Sequence, residues 1–456
     1  MEMERETEKY IELAVNTVPS SRQYEWNKLE FYAFIHFGVN QFTNREWGVG
    51  NEDPAIFNPK QLDANQWVQA VKSAGMKGLI LTAKHHDGFC LWPSFYTEHS
   101  IKNSPYKNGK GDIVKETAEA CKKADIKFGI YLSPWDRNSQ DYGTPEYNDY
   151  YINQLTELLT GYGDLFCIWL DGACGEGPNG KKQVYDFNRY YETVRKYQPN
   201  ACISVCGPDV RWCGNEAGSC RKSEWSVVPT SKELDISAED LGSRDKIIDC
   251  NEFKWFPAEA DTSIRPGWFY HTEEDNKVRS FEELINIYYN SVGGNASLLL
   301  NIPPDTRGLI HENDLKRLKE IGDYLKRTFS LDIAKGCNVI CDNSEPLTPA
   351  ASITDGKEDS YWKPKDYCGE VSVIIDLGKE NKFSHVVLME NIKKGQRIES
   401  FYIGASTDGK EYKTIYENTV VGYKRICKFE VETARYVKIC ITKSRVCPTL
   451  QYSGIF

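Results

Sequence analysis

LFCIWLDGACGEG (165–177) decides the architecture of this 456-residue chain. Six consecutive apolar residues, Leu165–Leu170, are followed at once by Asp171 and Gly172. An unbroken apolar run of strand length implies burial on both faces, as in a parallel sheet covered by helices. The carboxylate directly after it stands where the chain leaves a dry core, and there it needs hydrogen-bonding partners. Gly172 permits a sharp turn or the close approach of a ligand. A helix N-cap is the structural alternative for Asp171.

Outward from this stretch, the same kind of strand recurs. FYAFIHF (31–37), GLILTA (78–83), KFGIYL (127–132) and ACISVC (201–206) are strand candidates, with SEWSVV (223–228), PGWFY (266–270) and SLLLNI (297–302) as weaker ones. Between them, NQWVQAVKSAG (65–75), DIVKETAEACKKAD (112–125), YNDYYINQLTELLTGYG (147–163) and QVYDFNRYYETVRKYQ (183–198) space their apolar residues as helices do. Eight strands alternating with helices over about 300 residues predict an α/β fold, a (β/α)8-like barrel. HENDLKRLKEIGDYLKRTF (311–329) is the helix expected to complete it. An open doubly wound sheet is the alternative, but no G-x-G-x-x-G follows the first strand, and Gly48 and Gly50 are wrongly spaced for it.

From Ala334 the pattern changes. VSVIIDLG (371–378), SHVVLMEN (384–391), SFYIGAST (400–407), KRICKFEV (424–431) and RYVKICIT (435–442) alternate in the manner of strands, with turn signals between them. This predicts a smaller antiparallel β-sandwich. The division expected is 1–333 for the barrel and 334–456 for the sandwich.

Composition removes whole classes of function. With 56 Lys and Arg against 66 Asp and Glu, the net charge is −10, which argues against a nucleic-acid surface. An apolar run of six is far too short to span a membrane. The N-terminal MEMERETEKY lacks the apolar core of a signal peptide, so a cytoplasmic location is the expectation. The 15 cysteines form no C-x-x-C pair. Cys167, Cys202, Cys206 and Cys440 fall in apolar stretches, which reads as buried free thiols in a reducing compartment. The 11 Trp and 27 Tyr suit either a large core or the stacking of sugar faces.

Catalytic groups of such barrels sit at the C-terminal ends of the strands. There stand His36; Lys84, His85, His86 and Asp87; Tyr131, Trp135 and Asp136; Asp171; Asp209, Arg211, Trp212 and Glu216; and Trp268 and Tyr270. Two carboxylates suffice to cleave a glycosidic bond, one attacking the anomeric carbon and one protonating the leaving oxygen. Asp171 is the best-placed nucleophile. Glu216, beside Trp212 in RWCGNEAG, is a candidate acid, as are Glu46 and Asp87.

FYAFIHFGVNQFTNREWG, LTAKHHDGFCLWPS, GIYLSPWD and CIWLDGACGEG together resemble the α-L-fucosidases of glycoside hydrolase family 29 over about residues 25–330. The resemblance implies a retaining hydrolase that needs no cofactor and acts on fucosylated oligosaccharides or glycoconjugates. By position it makes Asp171 the nucleophile and assigns fucose binding to His36, Glu46, Trp47, His85, His86 and Tyr131. It gives Trp268 the wall for the C6 methyl. GPDVRWCGNEAG is similar to the segment of the α-1,3/1,4-specific subgroup, which makes Glu216 the acid/base and Lewis-type glycans the expected substrates. Residues from ASITDGKEDSYWKP to ARYVKICIT resemble the discoidin, or F5/8-type, carbohydrate-binding fold, which allows a structural calcium there. Two competing readings remain: a metal-dependent hydrolase using His36, His85, His86 and Asp171 as ligands, and a non-catalytic glycan-binding protein.

Overall fold

The computed structural model describes residues 2–231, 233–367 and 369–456, with side chains from Thr7 onward. Eight parallel strands form the first sheet: β1 (Phe31–Ile35), β2 (Gly78–Lys84), β3 (Lys127–Leu132), β4 (Cys167–Leu170), β5 (Cys202–Val205), β6 (Arg211–Trp212), β7 (Ala258–Ser263) and β8 (Ala296–Asn301). Their order is β5-β4-β3-β2-β1-β8-β7-β6. A parallel bridge between Ser204 and Val210 brings β5 back to the start of β6 and makes the sheet a nearly closed barrel.

Strands one to five and the last lie where the apolar runs predicted them. The sixth and seventh do not. SEWSVV (223–228) contributes to Val227–Pro229, which pairs with Phe253–Trp255 as a small antiparallel hairpin outside the barrel. PGWFY (266–270) is a loop. The true sixth strand has two residues, too few for any period to register. The true seventh, AEADTS, is buried along its whole length yet carries Glu259 and Asp261, so an apolar pattern does not mark it.

The helices lie at Ala64–Ser73, Ile113–Ala124, Glu146–Gly161, Phe187–Tyr197, Phe281–Ser291 and Glu312–Phe329. Several start on side-chain caps that satisfy orphan N–H groups: Asp63 accepts from Asn65 N, Asp112 from Lys115 N and Asp186 from Arg189 N. Their apolar faces pack on the barrel in one continuous core that includes Trp67, Val71, Tyr151, Leu155 and Leu318.

Beyond residue 333 the strands are antiparallel: β9 (Asn338–Ile340), β10 (Val371–Met389), β11 (Ile398–Ser406), β12 (Lys413–Thr419), β13 (Arg425–Ser444) and β14 (Tyr452–Ile455). The two pairs of strands read from 371–391 and from 424–442 are in fact two long strands. Their pairing shifts register between Asp376 and Asn381 and again between Phe383 and His385 of β10. Their inner faces bury Trp362, Val373, Ile375, Phe401, Val437 and Ile439 in a core of their own. The two parts are stitched by polar contacts. Asn295 donates to Glu224 O at 2.8 Å and accepts from Tyr423 N at 2.7 Å, and Arg244 pairs with Glu399 at 2.8 Å. Asn295 is the sequon asparagine of NAS, and it is buried in this seam.

One packing constraint gives a direct test. A Cβ on Gly322 would lie 1.8 Å from Ser73 O, so the helices Glu312–Phe329 and Ala64–Ser73 meet only because residue 322 has none. Gly322→Ala is expected to destabilise the protein by about 1–3 kcal/mol, the usual cost of overpacking. A denaturant midpoint unchanged from the parent would contradict this.

Candidate active site

The C-terminal ends of the barrel strands surround a cavity of about 420 Å³. It is lined by Phe34, His36, Glu46, Trp47, His85, His86, Tyr131, Trp169, Asp171, Ala173, Glu216, Asp261 and Trp268. All nine site residues picked out from the sequence are therefore gathered in one place. Phe34, Trp169, Ala173 and Asp261 are additions. Trp169 was legible in principle, since it stands two residues before Asp171 and a strand's period of two puts both on one face.

Asp171 leaves β4 with both carboxylate oxygens engaged. Tyr131 OH donates to Oδ2 at 2.9 Å, and Ala173 N donates to Oδ1 at 2.8 Å. This aims the carboxylate into the cavity, where it is 24% exposed. His86 Nε2 lies 3.8 Å from Oδ2.

Hydrogen-bond partners fix the histidine tautomers. Asn301 donates through Nδ2 to Ser263 Oγ and Trp268 O, so its Oδ1 faces His36 and accepts from Nδ1–H at 2.8 Å. Ser133 Oγ donates to Trp135 O and so accepts from His86 Nδ1–H at 2.7 Å. The Nε2 atoms of His36 and His86 are left as acceptors for hydroxyl protons. Burial pushes His36 down to about 3 and His86 to about 4, the latter against the opposing pull of Asp171. Burial also pushes His85 well below the ordinary histidine range, and its ring stacks on Tyr131 at 5.7 Å.

The loops over the barrel are fastened to one another. Glu46 accepts from Trp268 N at 2.8 Å, from Phe269 N at 3.0 Å and pairs with His271 at 2.8 Å. Its carboxylate thus holds the loop that presents Trp268, whose ring lies 5.2 Å from that of His36. Trp47 stands at the mouth, 58% exposed, edge-on to Trp135 and His86. Beneath the site, Trp169 donates to Glu259 at 2.7 Å, and Tyr32 donates to the same carboxyl. Burial pushes Glu259 up to about 7.

Glu216 sits at the exposed tip of the loop that follows β6. Cys213 N bonds to Glu259 O at 2.9 Å, and Arg221 reaches back to Cys213 O at 3.0 Å, so both sides of this loop are anchored.

The other strand-end groups take structural places. Lys84 is fully buried between Asp136 and Gln154, at 2.9 Å from each. Asp87 closes a turn by accepting from Phe89 N at 2.7 Å. Asp209 pairs with Arg195 and accepts from Ile203 N, while Arg211 pairs with Glu224. Tyr270 bonds Asp275. Among the described residues no group of three or more His, Cys, Asp and Glu side chains is arranged to hold a metal ion.

The histidine environment predicts a pH dependence of stability. His36 and His86 titrate below the ordinary 6.5, so the unfolded chain takes up these protons first. Their contribution to stability is full above about pH 6.5 and is lost as the pH drops toward about 4, while Glu259, raised to about 7, contributes in the opposite direction over the same range. The urea midpoint of His86→Asn should therefore gain on that of the parent as the pH drops across this window. A midpoint difference independent of pH would contradict the buried neutral ring.

With this geometry in hand, comparison with known proteins is informative. The α-L-fucosidase family profile matches residues 7–329, and the F5/8 type C domain profile matches residues 338–450. The chain is 42% identical to α-L-fucosidase 1 of Arabidopsis thaliana over 448 residues, covering 96% of this chain and 87% of that one. It is 26% identical to the plasma α-L-fucosidase of Homo sapiens, over 70% of this chain and 65% of that one. Among solved structures, a Ruminococcus gnavus family 29 fucosidase in complex with fucose superposes with a TM-score of 0.85. That match has 34% identity and covers 97% of this chain and 95% of the other. A strand-end cavity with four carboxyl groups, neutral imidazoles and indole walls thus coincides with a family match across the barrel, and the chain belongs to the α-L-fucosidase family, glycoside hydrolase family 29, with an F5/8 type C domain at its C-terminal end.

Proposed function

We propose that this α-L-fucosidase is exo-acting and retaining, and that it removes α-1,3/1,4-linked fucose from branched, Lewis-type glycans by double displacement. The observation that supports this most is that Asp171 and Glu216 line one cavity, the first oriented by its neighbours and the second on an anchored loop tip. In this reading Asp171 attacks the anomeric carbon while Glu216 protonates the departing glycosidic oxygen. The ionised Glu216 then takes a proton from the water that releases fucose from Asp171. Retention by this route requires the two carboxyls to be roughly 5–5.5 Å apart.

The remaining groups divide the sugar between them. The Nε2 atoms of His36 and His86 accept hydroxyl protons, Tyr131 steadies the nucleophile, and Trp268 offers an apolar wall to the deoxy edge. Phe34 and Trp169 close the cavity from below, which favours entry of a chain end. Exposed Trp47 stands where the next sugar would emerge. The linkage preference rests on the GPDVRWCGNEAG segment that carries Glu216. A second apolar core made from residues 334–455 supports a division at 333/334, although Val387 and Ile426 join the core of the barrel, and the fourteen described cysteines, all free, suit a reducing compartment.

A panel of Lewis-type trisaccharides, 2′-linked fucosyl glycans and an aryl fucoside tests the specificity. Strong preference for the branched α-1,3/1,4 compounds is expected, and preference for the α-1,2 linkage would overturn that part. Asp171→Ala should lower turnover by roughly 10³-fold or more, with azide restoring turnover and giving an inverted fucosyl azide. Tyr131→Phe should lower kcat by roughly 10- to 100-fold, because it removes a donor that orients the nucleophile. A loss confined to KM would contradict that role.

A further inference from the structure

Besides Asp171, Glu216 and the loop-holding Glu46, a fourth carboxyl lines the cavity and has no part in the two-acid scheme. Asp261 lies on β7 and is 3% exposed. Its Oδ1 accepts the indole N–H of Trp212 at 2.7 Å. Trp212 is the last residue of β6, and the Glu216 loop departs from it.

Arg211 anchors the start of that strand: its buried guanidinium donates to Phe256 O at 2.9 Å and to Trp225 O at 3.0 Å and pairs with Glu224. Backbone bonds flank the strand's short pairing with β7, from Arg211 N to Pro257 O at 3.0 Å and from Cys213 N to Glu259 O at 2.9 Å. The next residue but one, Gly214, turns at φ +99°, so the chain leaves β6 abruptly. The indole–carboxyl bond joins the two strands at the level of the cavity, directly below that turn.

We propose that Asp261 is a positioning residue for proton transfer: by holding Trp212 it fixes the end of β6, and with it the place and surroundings of the Glu216 carboxyl. This deepens the reading of Glu216 as acid/base and rests on it. Asp261 does this as a neutral acid. Burial pushes its carboxyl well above the ordinary carboxylate range, against the pull of the Trp212 hydrogen bond and with nearby Glu259 and Glu216 adding to the shift. A neutral carboxyl still accepts the indole N–H through its carbonyl oxygen. The group needed is therefore an acceptor for the indole N–H, not a charge.

The test separates steps by leaving group. The value of kcat/KM is measured on a Lewis-type trisaccharide, whose departing sugar needs the proton, and on fucosyl fluoride, whose departing ion does not. Asp261→Leu and Trp212→Phe should each lower the trisaccharide value by roughly 30- to 300-fold and the fluoride value by less than about threefold. The double variant should be no worse than the more damaging single one, since both remove the same link. Asp261→Asn keeps the acceptor and should stay within about fivefold of the parent on the trisaccharide. Equal losses on both substrates would show a merely structural role, and an Asn variant as damaged as Leu would show that the charge is what matters; either overturns the proposal. Trp212→Phe carries the test if Asp261→Leu fails to fold. Glu216→Ala is the reference: a loss confined to the trisaccharide supports its role as acid. If Glu216→Ala spares the trisaccharide, the acid/base reading itself fails, whatever the Asp261 variants do, and this inference falls with it.

Discussion

A parallel barrel whose sixth strand has only two residues has to be held shut by side chains, and much of this molecule follows from that constraint. No helix separates β5 from β6. The chain leaves β5 through Val205 at φ +66°, a conformation that a β-branched residue adopts only under compulsion, and loops back to run parallel to it. Polar side chains hold the closure: Arg211 binds Phe256 O, Trp225 O and Glu224, Asp209 accepts from Ile203 N, and from β7 the Asp261 carboxyl binds Trp212 while that of Glu259 binds Tyr32 and Trp169 inside the barrel. Buried carboxyls are costly unless fully satisfied, and those of β7 are met by aromatic O–H and N–H donors that bring apolar bulk with them. The same bonds set the indole of Trp169 under the cavity and fix Trp212 beside it. Closure of the barrel and construction of the site are thus one problem with one solution.

The electrostatics of the cavity follow from how dry it is. Burial keeps His36, His85 and His86 neutral, so imidazoles beside Asp171 do not neutralise it as cations would. Asp171 relies instead on two neutral donors, a phenol and a backbone N–H, which orient a carboxylate without quenching its charge. The buried Lys84–Asp136 pair ties the end of β2, just before His85 and His86, to the loop after β3. The Glu46 carboxylate does the same for the loops after β1 and β7. The side chains that line the cavity therefore sit on loops locked to each other as well as to the strands.

What could be read from the sequence was whatever repeats or whatever stands beside something that repeats. Apolar runs located six of the eight barrel strands, and the rule that function gathers at their C-terminal ends brought His36, His85, His86, Tyr131 and Asp171 together before any coordinates. AEADTS escaped because its burial is secured by tertiary hydrogen bonds to Tyr32, Trp169 and Trp212, which no local pattern encodes. Arg211–Trp212 escaped because two residues have no period. Asp261 was lost with its strand. The two long strands of the C-terminal part were read as four because turn-like residues, Lys379, Glu380 and Asn381 among them, stand at the register shifts. Glu46 was visible as a candidate acid, but its hold on the backbone of Trp268 and Phe269 depends on a loop more than 200 positions away.

The central claim is that the carboxylate on the end of β4 becomes covalently bonded to fucose during turnover. Incubation with 2-deoxy-2-fluorofucosyl fluoride, followed by proteolysis and mass spectrometry, reads this directly. The account predicts a single fluorofucosyl adduct on Asp171, formed in step with loss of activity and released when activity returns. Stoichiometric inactivation with the label on any other residue would contradict it.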